Sequence, residues 1–205
     1  MNVLSLRFIL VGNSSVGKTS IVDKYTENIF RDIHQSTMGV DYKIKIFEMK
    51  GFKIRMNILD TAGQERYKSL AKIHFRNCNG IFLVFDLTCK QSFEDLEFWL
   101  NEIKSIIDVE NTKILIIGNK SDLKDIREVS DNDISEFVEK NKLKVVQTSA
   151  KNGDKVKEAF EAMIDLVIEN QSEEEIYKNY CNNYNKKKLL KNNKNNVHNS
   201  NAQCC

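Results

Sequence analysis

Apolar side chains recur along this chain with two periods. Alternating or unbroken apolar runs predict six strands, at 3–11, 40–47, 52–59, 81–87, 113–118 and 144–148. Apolar side chains at helical spacing predict four helices, at 19–30, 92–109, 130–141 and 154–169. Strands that alternate with helices indicate an α/β fold.

The strand patterns also indicate how the sheet is built. The runs at 81–87 and 113–118 are apolar without a break, which is typical of parallel strands covered by helices on both faces. The runs at 40–47 and 52–59 alternate, and Met49-Lys50-Gly51 lies between them, which predicts an antiparallel hairpin. We therefore expect a mostly parallel six-stranded sheet with one antiparallel edge strand and helices on both faces.

Two segments lack these patterns. Residues 31–38 are polar and predict a loop. From Ile176 onward asparagine and lysine dominate, and so few apolar residues cannot offset the entropy cost of ordering the chain. We predict a folded domain over 1–172 and a flexible tail over 173–205.

The helix predicted at 92–109 carries the only tryptophan of the chain. Ser92, followed three residues later by Asp95, fits the start of this helix. Trp99 belongs to the apolar stripe, and an aromatic residue in such a stripe usually packs in the core. We therefore predict a packing role for Trp99 rather than a cofactor contact.

Charge is divided unevenly between the two predicted parts. The chain of 205 residues has a net charge of +2. Residues 176–205 hold six lysines and no arginine or acid, which leaves 25 basic and 29 acidic residues, a net charge of −4, for the remainder. A DNA-binding domain usually carries its positive charge on a structured face. The distribution therefore predicts no nucleic-acid partner.

The cysteines and the hydropathy pattern bear on the compartment. The five cysteines stand at 78, 89, 181, 204 and 205, an odd number without zinc-type grouping, which disfavours a secreted disulfide framework. Arg7 interrupts the first apolar segment, unlike a signal peptide. No apolar run approaches the ~20 residues of a membrane-spanning helix. We expect a cytosolic protein.

The most specific motif lies between the first strand and the first helix. It reads Gly12-Asn13-Ser14-Ser15-Val16-Gly17-Lys18-Thr19 and fits the phosphate-loop pattern G-x-x-x-x-G-K-[ST]. Glycines let such a loop fold around phosphate oxygens, the lysine reaches the β and γ phosphates, and the hydroxyl binds Mg²⁺. The following helix N-terminus adds N–H groups and partial positive charge. An ordinary turn with a surface lysine is the alternative, which the flanking strand and helix disfavour.

An acidic residue ends the third predicted strand, in the sequence Asp60-Thr61-Ala62-Gly63-Gln64-Glu65. In a protein with a phosphate loop, an acid in this place suggests a second contact to Mg²⁺. Taken alone, Asp-x-x-Gly indicates only a turn. Its position after the third strand makes the metal interpretation specific.

Two further motifs bear on the base. Asn119-Lys120-Ser121-Asp122 follows the fifth strand and Thr148-Ser149-Ala150-Lys151 the sixth, at the edge where an open α/β sheet binds its ligand. The Asp122 carboxylate can accept hydrogen bonds from the ring N–H and amino group of guanine, a donor pair that adenine lacks. The Lys120 stem could lie along the purine, and the Ala150 N–H could donate to the guanine carbonyl. Taken alone, the first motif also fits a solvated turn.

Over about residues 5–170 the chain resembles the small GTPases of the Ras superfamily, which have the phosphate-loop NTPase fold. The resemblance implies that Lys18 holds the β and γ phosphates, and that Thr19, Thr37 and, through water, Asp60 bind Mg²⁺. It also implies catalytic roles for Gln64, which orients the attacking water, and for Lys18 and Thr37. Ser14 is small enough to be compatible with hydrolysis. The implied nucleotide contacts are Ser14, Ser15, Val16, Gly17, Lys18, Thr19, Ser20, Phe30 (edge-on to guanine), Thr37, Gly63 (N–H to the γ phosphate), Asn119, Lys120, Asp122, Ser149, Ala150 and Lys151.

Within that superfamily the chain is most similar to the Rab branch of membrane-traffic regulators. Three stretches carry this similarity: Ser36-Thr37-Met38-Gly39-Val40-Asp41-Tyr42, Gln64-Glu65-Arg66-Tyr67-Lys68-Ser69-Leu70, and the terminal Cys204-Cys205. The ending does not fit C-a-a-X, because position 202 is alanine. Rab proteins with this ending usually carry a geranylgeranyl group on each cysteine. Two such chains anchor stably where one does not, and the tail lysines would add attraction to anionic lipid. Unmodified thiols are the alternative.

The resemblance implies a monomeric GTP/GDP switch that docks vesicle machinery in one state and releases it in the other. Contact with the γ phosphate orders the segments around Thr37 and Gly63, and hydrolysis relaxes them. No arginine of the motif set can be placed as a finger in cis, so slow intrinsic turnover is expected. The implied partners are an exchange factor, a GTPase-activating protein, a GDP-dissociation inhibitor or escort protein, and effectors, at the cytosolic face of an intracellular membrane.

Three positions depart from the Rab pattern. Tyr42 replaces the commoner phenylalanine, Leu59 stands where many Rabs have tryptophan, and His74-Phe75-Arg76-Asn77 replaces Tyr-Tyr-Arg-Gly. These positions form the aromatic cluster that Rab partners read, so the family pattern does not predict the organelle or the effectors. Two alternatives remain open: a phosphate-loop kinase or ATPase, which predicts adenine preference, and a signalling GTPase of another Ras branch.

Overall fold

The computed structural model describes residues 3–32, 40–61, 75, 78–107, 112–169 and 172–176. Six strands form one sheet in the order β2-β3-β1-β4-β5-β6. The strands are β1 (Val3–Val11), β2 (Val40–Met49), β3 (Phe52–Thr61), β4 (Gly80–Asp86), β5 (Lys113–Asn119) and β6 (Lys144–Gln147). The sheet is mostly parallel with one antiparallel strand, which confirms the predicted fold class.

Helices follow most of the strands. The helices are α1 (Lys18–Glu27), α2 (Lys90–Glu94), α3 (Leu96–Lys104), α4 (Asp131–Asn141), α5 (Val156–Ile168) and α6 (Glu173–Ile176), with a short 3-10 helix at Lys124–Ile126. Ser130 caps α4: its hydroxyl accepts the Asp133 N–H at 3.1 Å, and the Asp133 carboxylate accepts from the Ser130 hydroxyl at 2.7 Å. None of the helices in these described ranges is long and apolar enough to cross a bilayer.

The register of the parallel strands brings their carboxyl ends to one edge. Val11 of β1 pairs with Leu83 of β4, and Asp86 at the end of β4 pairs with Asn119 at the end of β5. Gly118 of β5 pairs with Gln147 of β6. The loops that follow β1, β4, β5 and β6 therefore start at the same edge of the sheet.

The chain divides into two compact units. The described part of one unit comprises 3–6, 46–55 and 172–176, where Phe52 and Ile54 are buried. The other unit comprises 7–45 and 56–169, with the undescribed residues excepted. This larger unit holds every predicted site residue that the structure describes.

Aromatic rings join the layers of the larger unit. Phe82 of β4 contacts Phe8 of β1 edge-on at a centroid distance of 5.8 Å and lies 4.8 Å from Phe160 of α5. Tyr25 of α1 stacks on Phe160 at 3.7 Å. On the other side of the sheet, the buried residues of α3 are Leu96, Trp99, Leu100 and Ile103. The packing role predicted for Trp99 is confirmed.

The single helix predicted at 92–109 is wrong. Two helices, α2 and α3, meet at Asp95, and α2 begins at Lys90 rather than Ser92. The Ser92 hydroxyl accepts the Asp86 N–H at 3.0 Å and donates to the Cys89 carbonyl at 2.7 Å, so it bonds back toward β4 instead of capping a helix. The Asp95 side chain makes no cap hydrogen bond.

One other expectation is corrected at its margin. The helix predicted at 19–30 ends at Glu27, because Asn28 adopts a left-handed φ of 57°. Ile29, counted on its apolar face, is exposed. The strand predicted at 40–47 is confirmed as β2, and its apolar residues Tyr42, Ile44 and Ile46 are exposed.

The boundary predicted between 172 and 173 falls directly before α6. Residues Glu173–Ile176 are helical, and the Ile176 side chain is buried. The residues beyond 176 lie outside the described part of the chain, so the division into domain and tail stays a prediction.

Candidate nucleotide-binding site

The loop between β1 and α1 is shaped by two glycines. Gly12 has a φ of +140°, and a Cβ there would collide with the carbonyl oxygen of Val84 on β4. Gly17 has a φ of +93°, and a Cβ there would collide with the side-chain amide of Asn119. Glycine adopts such φ values without steric cost. The spacing of the motif is therefore set by the close approach of the loop to β4 and β5.

Lys18 places its positive charge inside this loop. Its buried ammonium group donates to the carbonyl oxygens of Gly12 at 3.0 Å and Asn13 at 2.7 Å. Burial lowers the pKa of Lys18 to about 8, and the charge of Asp60 opposes that shift. A phosphate group in the loop would meet a partly desolvated cation, whose attraction is stronger than in water.

Thr19 and Asp60 lie together beside Lys18. The Thr19 hydroxyl donates to Asp60 Oδ2 at 2.5 Å. Asp60 is 2% exposed, and its Oδ1 is buried with no hydrogen-bond partner among the described residues. Burial raises the pKa of Asp60 to about 6, against the hydrogen bond from Thr19 and the charge of Lys18. A hydroxyl and an unpartnered carboxylate oxygen are the hard ligands that Mg²⁺ prefers, so these residues fit that ion.

Asn119 joins three loops. Its side-chain amide donates to the Val16 carbonyl at 2.9 Å. Its Oδ1 accepts from the Ala150 N–H and from the Thr148 hydroxyl, both at 3.2 Å. The buried side chain of one residue thus connects the phosphate loop with the loop after β6, from its own place at the end of β5.

Asp122 is held by the loop after β6. Its Oδ1 accepts from the Ser149 hydroxyl at 2.5 Å. The Ser121 N–H donates to the Thr148 carbonyl at 3.0 Å, which joins the two loops through their backbones. Lys151 is exposed at the far end of the second loop. The two motifs predicted to bind the base are therefore adjacent.

Sequence reasoning missed the partner of Lys120. The Lys120 ammonium lies 2.6 Å from Asp86 Oδ2 at the end of β4. Asp86 is buried, and its Oδ1 accepts from the Thr88 N–H at 2.9 Å and hydroxyl at 2.8 Å. The available signal was an acid that interrupts the otherwise apolar run at 81–87. This ion pair fixes the direction of the Lys120 stem.

A second missed residue is Asp23, a buried acid on α1. Its carboxylate pairs with Arg31, and its Oδ1 lies 3.6 Å from the Lys43 ammonium on β2. Lys43 also pairs with Glu27 at 2.6 Å. Asp23 therefore connects α1 with residues on both sides of segment 33–39.

The remaining predicted site residues fall into two groups. Ser14 and Ser15 are exposed in the phosphate loop, Val16 and Ser20 are buried, and Phe30 is half-buried after α1. The residues outside the described part of the chain are Thr37, Gly63, Gln64, Cys204 and Cys205. The structure thus brings together Lys18, Thr19 and Asp60 at one end of the site, and the loops of 119–122 and 148–151 at the other.

Comparisons with known proteins agree with this geometry. A model of the Ras family matches residues 7–169. Ras-related protein Rab-30 of Homo sapiens is 40% identical over 154 residues, which cover 75% of this chain and 75% of the relative. Ras-related protein Rab-12 of Mus musculus is 38% identical over 164 residues, 80% of this chain and 67% of the relative. Ras-related protein Rab-18 of Lymnaea stagnalis is 35% identical over 167 residues, 82% of each chain.

These matches cover most of the chain at identities that show the family. They also agree with the phosphate loop at the end of β1 and with the paired motifs at the ends of β5 and β6. The chain belongs to the Rab family of Ras-like small GTPases: it binds guanine nucleotides, hydrolyses GTP and acts in vesicle trafficking.

Proposed function

We propose that one guanine nucleotide binds along the edge formed by the loops after β1, β5 and β6, with its phosphates at Lys18 and its base at Asp122. The observation that carries this proposal is the set of three hydrogen bonds made by Asn119. They couple the loop that would hold phosphate to the loops that would hold the base. Binding of the phosphates at one end therefore favours the loop arrangement that base binding requires at the other.

At the phosphate end, Thr19 and Asp60 would hold Mg²⁺, with Thr37 added by the family resemblance. The ion would neutralise charge on the β and γ phosphates. Lys18 binds the same phosphates from inside the loop. The buried Oδ1 of Asp60, which has no hydrogen-bond partner among the described residues, supports this assignment, because a buried charged oxygen without a partner is costly.

At the base end, the Asp122 carboxylate accepts from the ring N–H and amino group of guanine. The Ser149 hydroxyl orients that carboxylate from the side. The Lys120 stem covers one face of the purine while its ammonium is held by Asp86. The Ala150 N–H, which donates to Asn119 Oδ1 at 3.2 Å, would share this hydrogen with the guanine carbonyl in a bifurcated bond.

Hydrolysis requires residues outside the described part of the site. Gln64 orients the attacking water, the Gly63 N–H contacts the γ phosphate, and Thr37 binds Mg²⁺ in the GTP-loaded state. Intrinsic turnover is slow, and an activating protein supplies an arginine, for which the effect in comparable GTPases is about 10³- to 10⁵-fold.

Membrane attachment and partners complete the proposed cycle. Lipid groups on Cys204 and Cys205, assisted by the six tail lysines, anchor the protein to the cytosolic face of an intracellular membrane. An exchange factor, an activating protein, an escort protein or dissociation inhibitor, and effectors act on residues 1–172. Among the aromatic-cluster positions, Tyr42 is 49% exposed and Leu59 is 2% exposed. Tyr42 therefore offers surface to a partner where Leu59 does not.

Base specificity is tested by nucleotide titration. Wild-type protein should be stabilised against heat by GDP and not by the same concentration of ADP. The Asp122→Ala variant should lose most of the GDP stabilisation, whereas Asp125→Ala, at a nearby exposed acid, should keep it. Equal stabilisation by ADP and GDP, or an unaffected Asp122→Ala protein, would contradict the proposed base site.

The hydrolytic role is tested separately with Gln64→Leu. This variant should keep GTP affinity and nearly abolish single-turnover hydrolysis, because the water loses its orienting group while the binding residues are intact. An unchanged hydrolysis rate would exclude the role proposed for Gln64.

A further inference from the structure

Asn13, the second residue of the phosphate loop, is held by the junction of α2 and α3. Its side-chain N–H donates to Asp95 Oδ2 at 2.5 Å. Its Oδ1 accepts from the indole N–H of Trp99 at 2.8 Å. The other Asp95 oxygen accepts from the Gln91 amide at 2.9 Å. We call Asn13, Asp95 and Trp99 the loop clamp.

The chemistry of the clamp allows the Asn13 amide one orientation. An indole N–H only donates, and an ionised carboxylate only accepts. If the Asn13 amide rotated by 180°, its N–H₂ group would face the indole N–H, and its oxygen would face the Asp95 carboxylate. The side chain of Asn13 is therefore fixed from both sides.

The two partners of Asn13 are themselves fixed. Trp99 is 6% exposed and belongs to the core cluster that includes Leu96, Leu100 and Ile103. Asp95 stands one helical turn before Trp99, at the break between α2 and α3, with Gln91 on its other oxygen. The break that the apolar pattern did not predict is the place where this carboxylate reaches the phosphate loop.

The clamp acts on the residue that also holds Lys18. The backbone carbonyl of Asn13 accepts from the Lys18 ammonium at 2.7 Å. A shift of Asn13 would therefore move an anchor of the lysine that is proposed to bind phosphate.

We propose that Asp95 and Trp99 are positioning residues for the phosphate loop, which act through Asn13 to slow nucleotide release. This inference rests on the proposed nucleotide site. It makes the α2–α3 junction part of the machinery that retains the nucleotide, although neither residue belongs to a nucleotide-binding motif.

An exchange of the amide and the carboxylate tests this role. Asn13→Asp places two carboxylates at hydrogen-bond distance, and GDP dissociation should accelerate about tenfold, the scale of a lost charged hydrogen bond. Asp95→Asn keeps an acceptor for Asn13, so a smaller acceleration is expected. In the double variant, the new carboxylate at position 13 would accept from both the Trp99 indole and the new amide at position 95. The rate should then return to within about threefold of wild type.

The readout is the dissociation rate of a fluorescent GDP analogue from Mg²⁺-loaded full-length protein. Glu94→Gln, an acid-to-amide change at an exposed position on α2, is the matched control and should leave the rate unchanged. Trp99→Phe keeps a buried ring and removes the N–H, and it should release GDP about threefold faster with an unaltered far-ultraviolet circular dichroism spectrum.

The outcomes separate the clamp from the site on which it rests. A merely structural contact would lower the melting temperature of each variant without reciprocal effects on GDP release. The proposed role of the loop clamp would be overturned if GDP dissociation were unchanged in the single variants. It would also be overturned if the double variant released GDP as fast as Asn13→Asp. Failure of wild-type protein to retain the GDP analogue would instead overturn the proposed nucleotide site, and with it the inference.

Discussion

The base end and the phosphate end of the candidate site differ in how their polar groups are partnered. At the base end, Asn119 makes three hydrogen bonds, Asp122 accepts from Ser149, and Lys120 pairs with Asp86. At the phosphate end, one Asp60 oxygen is buried without a partner in the described structure, and burial shifts the pKa values of Asp60 and Lys18 toward neutrality.

This difference indicates that the two ends of the site contribute differently to nucleotide binding. Protein contacts set the geometry of the base end, so its specificity is preorganised. The phosphate end concentrates desolvated charge of both signs, so the free energy of binding there comes from satisfying those charges. Variants that break the two ends should therefore fail in different ways.

The largest effect is expected from Asn119→Ala, which disconnects the two ends. The buried Val16 carbonyl and Ala150 N–H would both lose a partner, at about 1–3 kcal/mol each. GDP dissociation should accelerate about 100-fold, as measured with a fluorescent GDP analogue. Asn101→Ala, at an exposed position on α3, is the control. A change below threefold would show that Asn119 does not couple the loops.

A smaller effect is expected from Asp60→Asn, which should stabilise the nucleotide-free protein but weaken its stabilisation by Mg²⁺ and GDP. With EDTA present and no nucleotide, the melting temperature should rise, because the substitution removes a buried negative charge whose Oδ1 has no hydrogen-bond partner among the described residues. With Mg²⁺ and GDP, the stabilisation by ligand should fall, and EDTA should add little to GDP release. Asp154→Asn, an exposed acid after β6, should show neither change. A variant that keeps full Mg²⁺ dependence would exclude Asp60 as a metal ligand.

The smallest effect is expected from Asp86→Asn at the base end. The amide can still accept from Thr88, but the ion pair with Lys120 is lost. GDP affinity should fall by about three- to tenfold, because the Lys120 stem is no longer held in one direction. Isothermal titration measures this change, with Asp125→Asn as the exposed control. Full GDP affinity would mean that Lys120 is positioned by its backbone alone.

The periodicity of the sequence predicted the sheet because local patterns decide it. The unbroken runs of β4 and β5 and the alternation of β2 and β3 each contain enough apolar residues to identify a strand. Alternation does not tell which face is covered, and for that reason the exposure of Tyr42 and Ile44 on β2 was not predictable. Boundaries were less predictable where one residue leaves helical φ, as Asn28 does.

The motifs predicted the two ends of the site because their residues are close in sequence to strand ends. The contacts that organise those motifs are distant in sequence. Asp95 lies 82 residues from Asn13, and Trp99 lies 86 residues from it. Neither carries a local signal, since Asp95 fits a helix start and Trp99 fits an apolar stripe. Likewise, nothing near Lys120 in the sequence indicates that Asp86 is its partner.

The space left by Gly17 has a consequence for how this chain can vary. The Asn119 amide occupies the volume that a side chain at position 17 would need. Any larger residue at 17 must displace Asn119 and so break its hydrogen bond to Val16. A genetic screen for loss of GTPase function should therefore return substitutions at Gly17 and Asn119 with the same phenotype. Combining the two substitutions should add little to the loss of function, since each breaks the same contact between Asn119 and the phosphate loop.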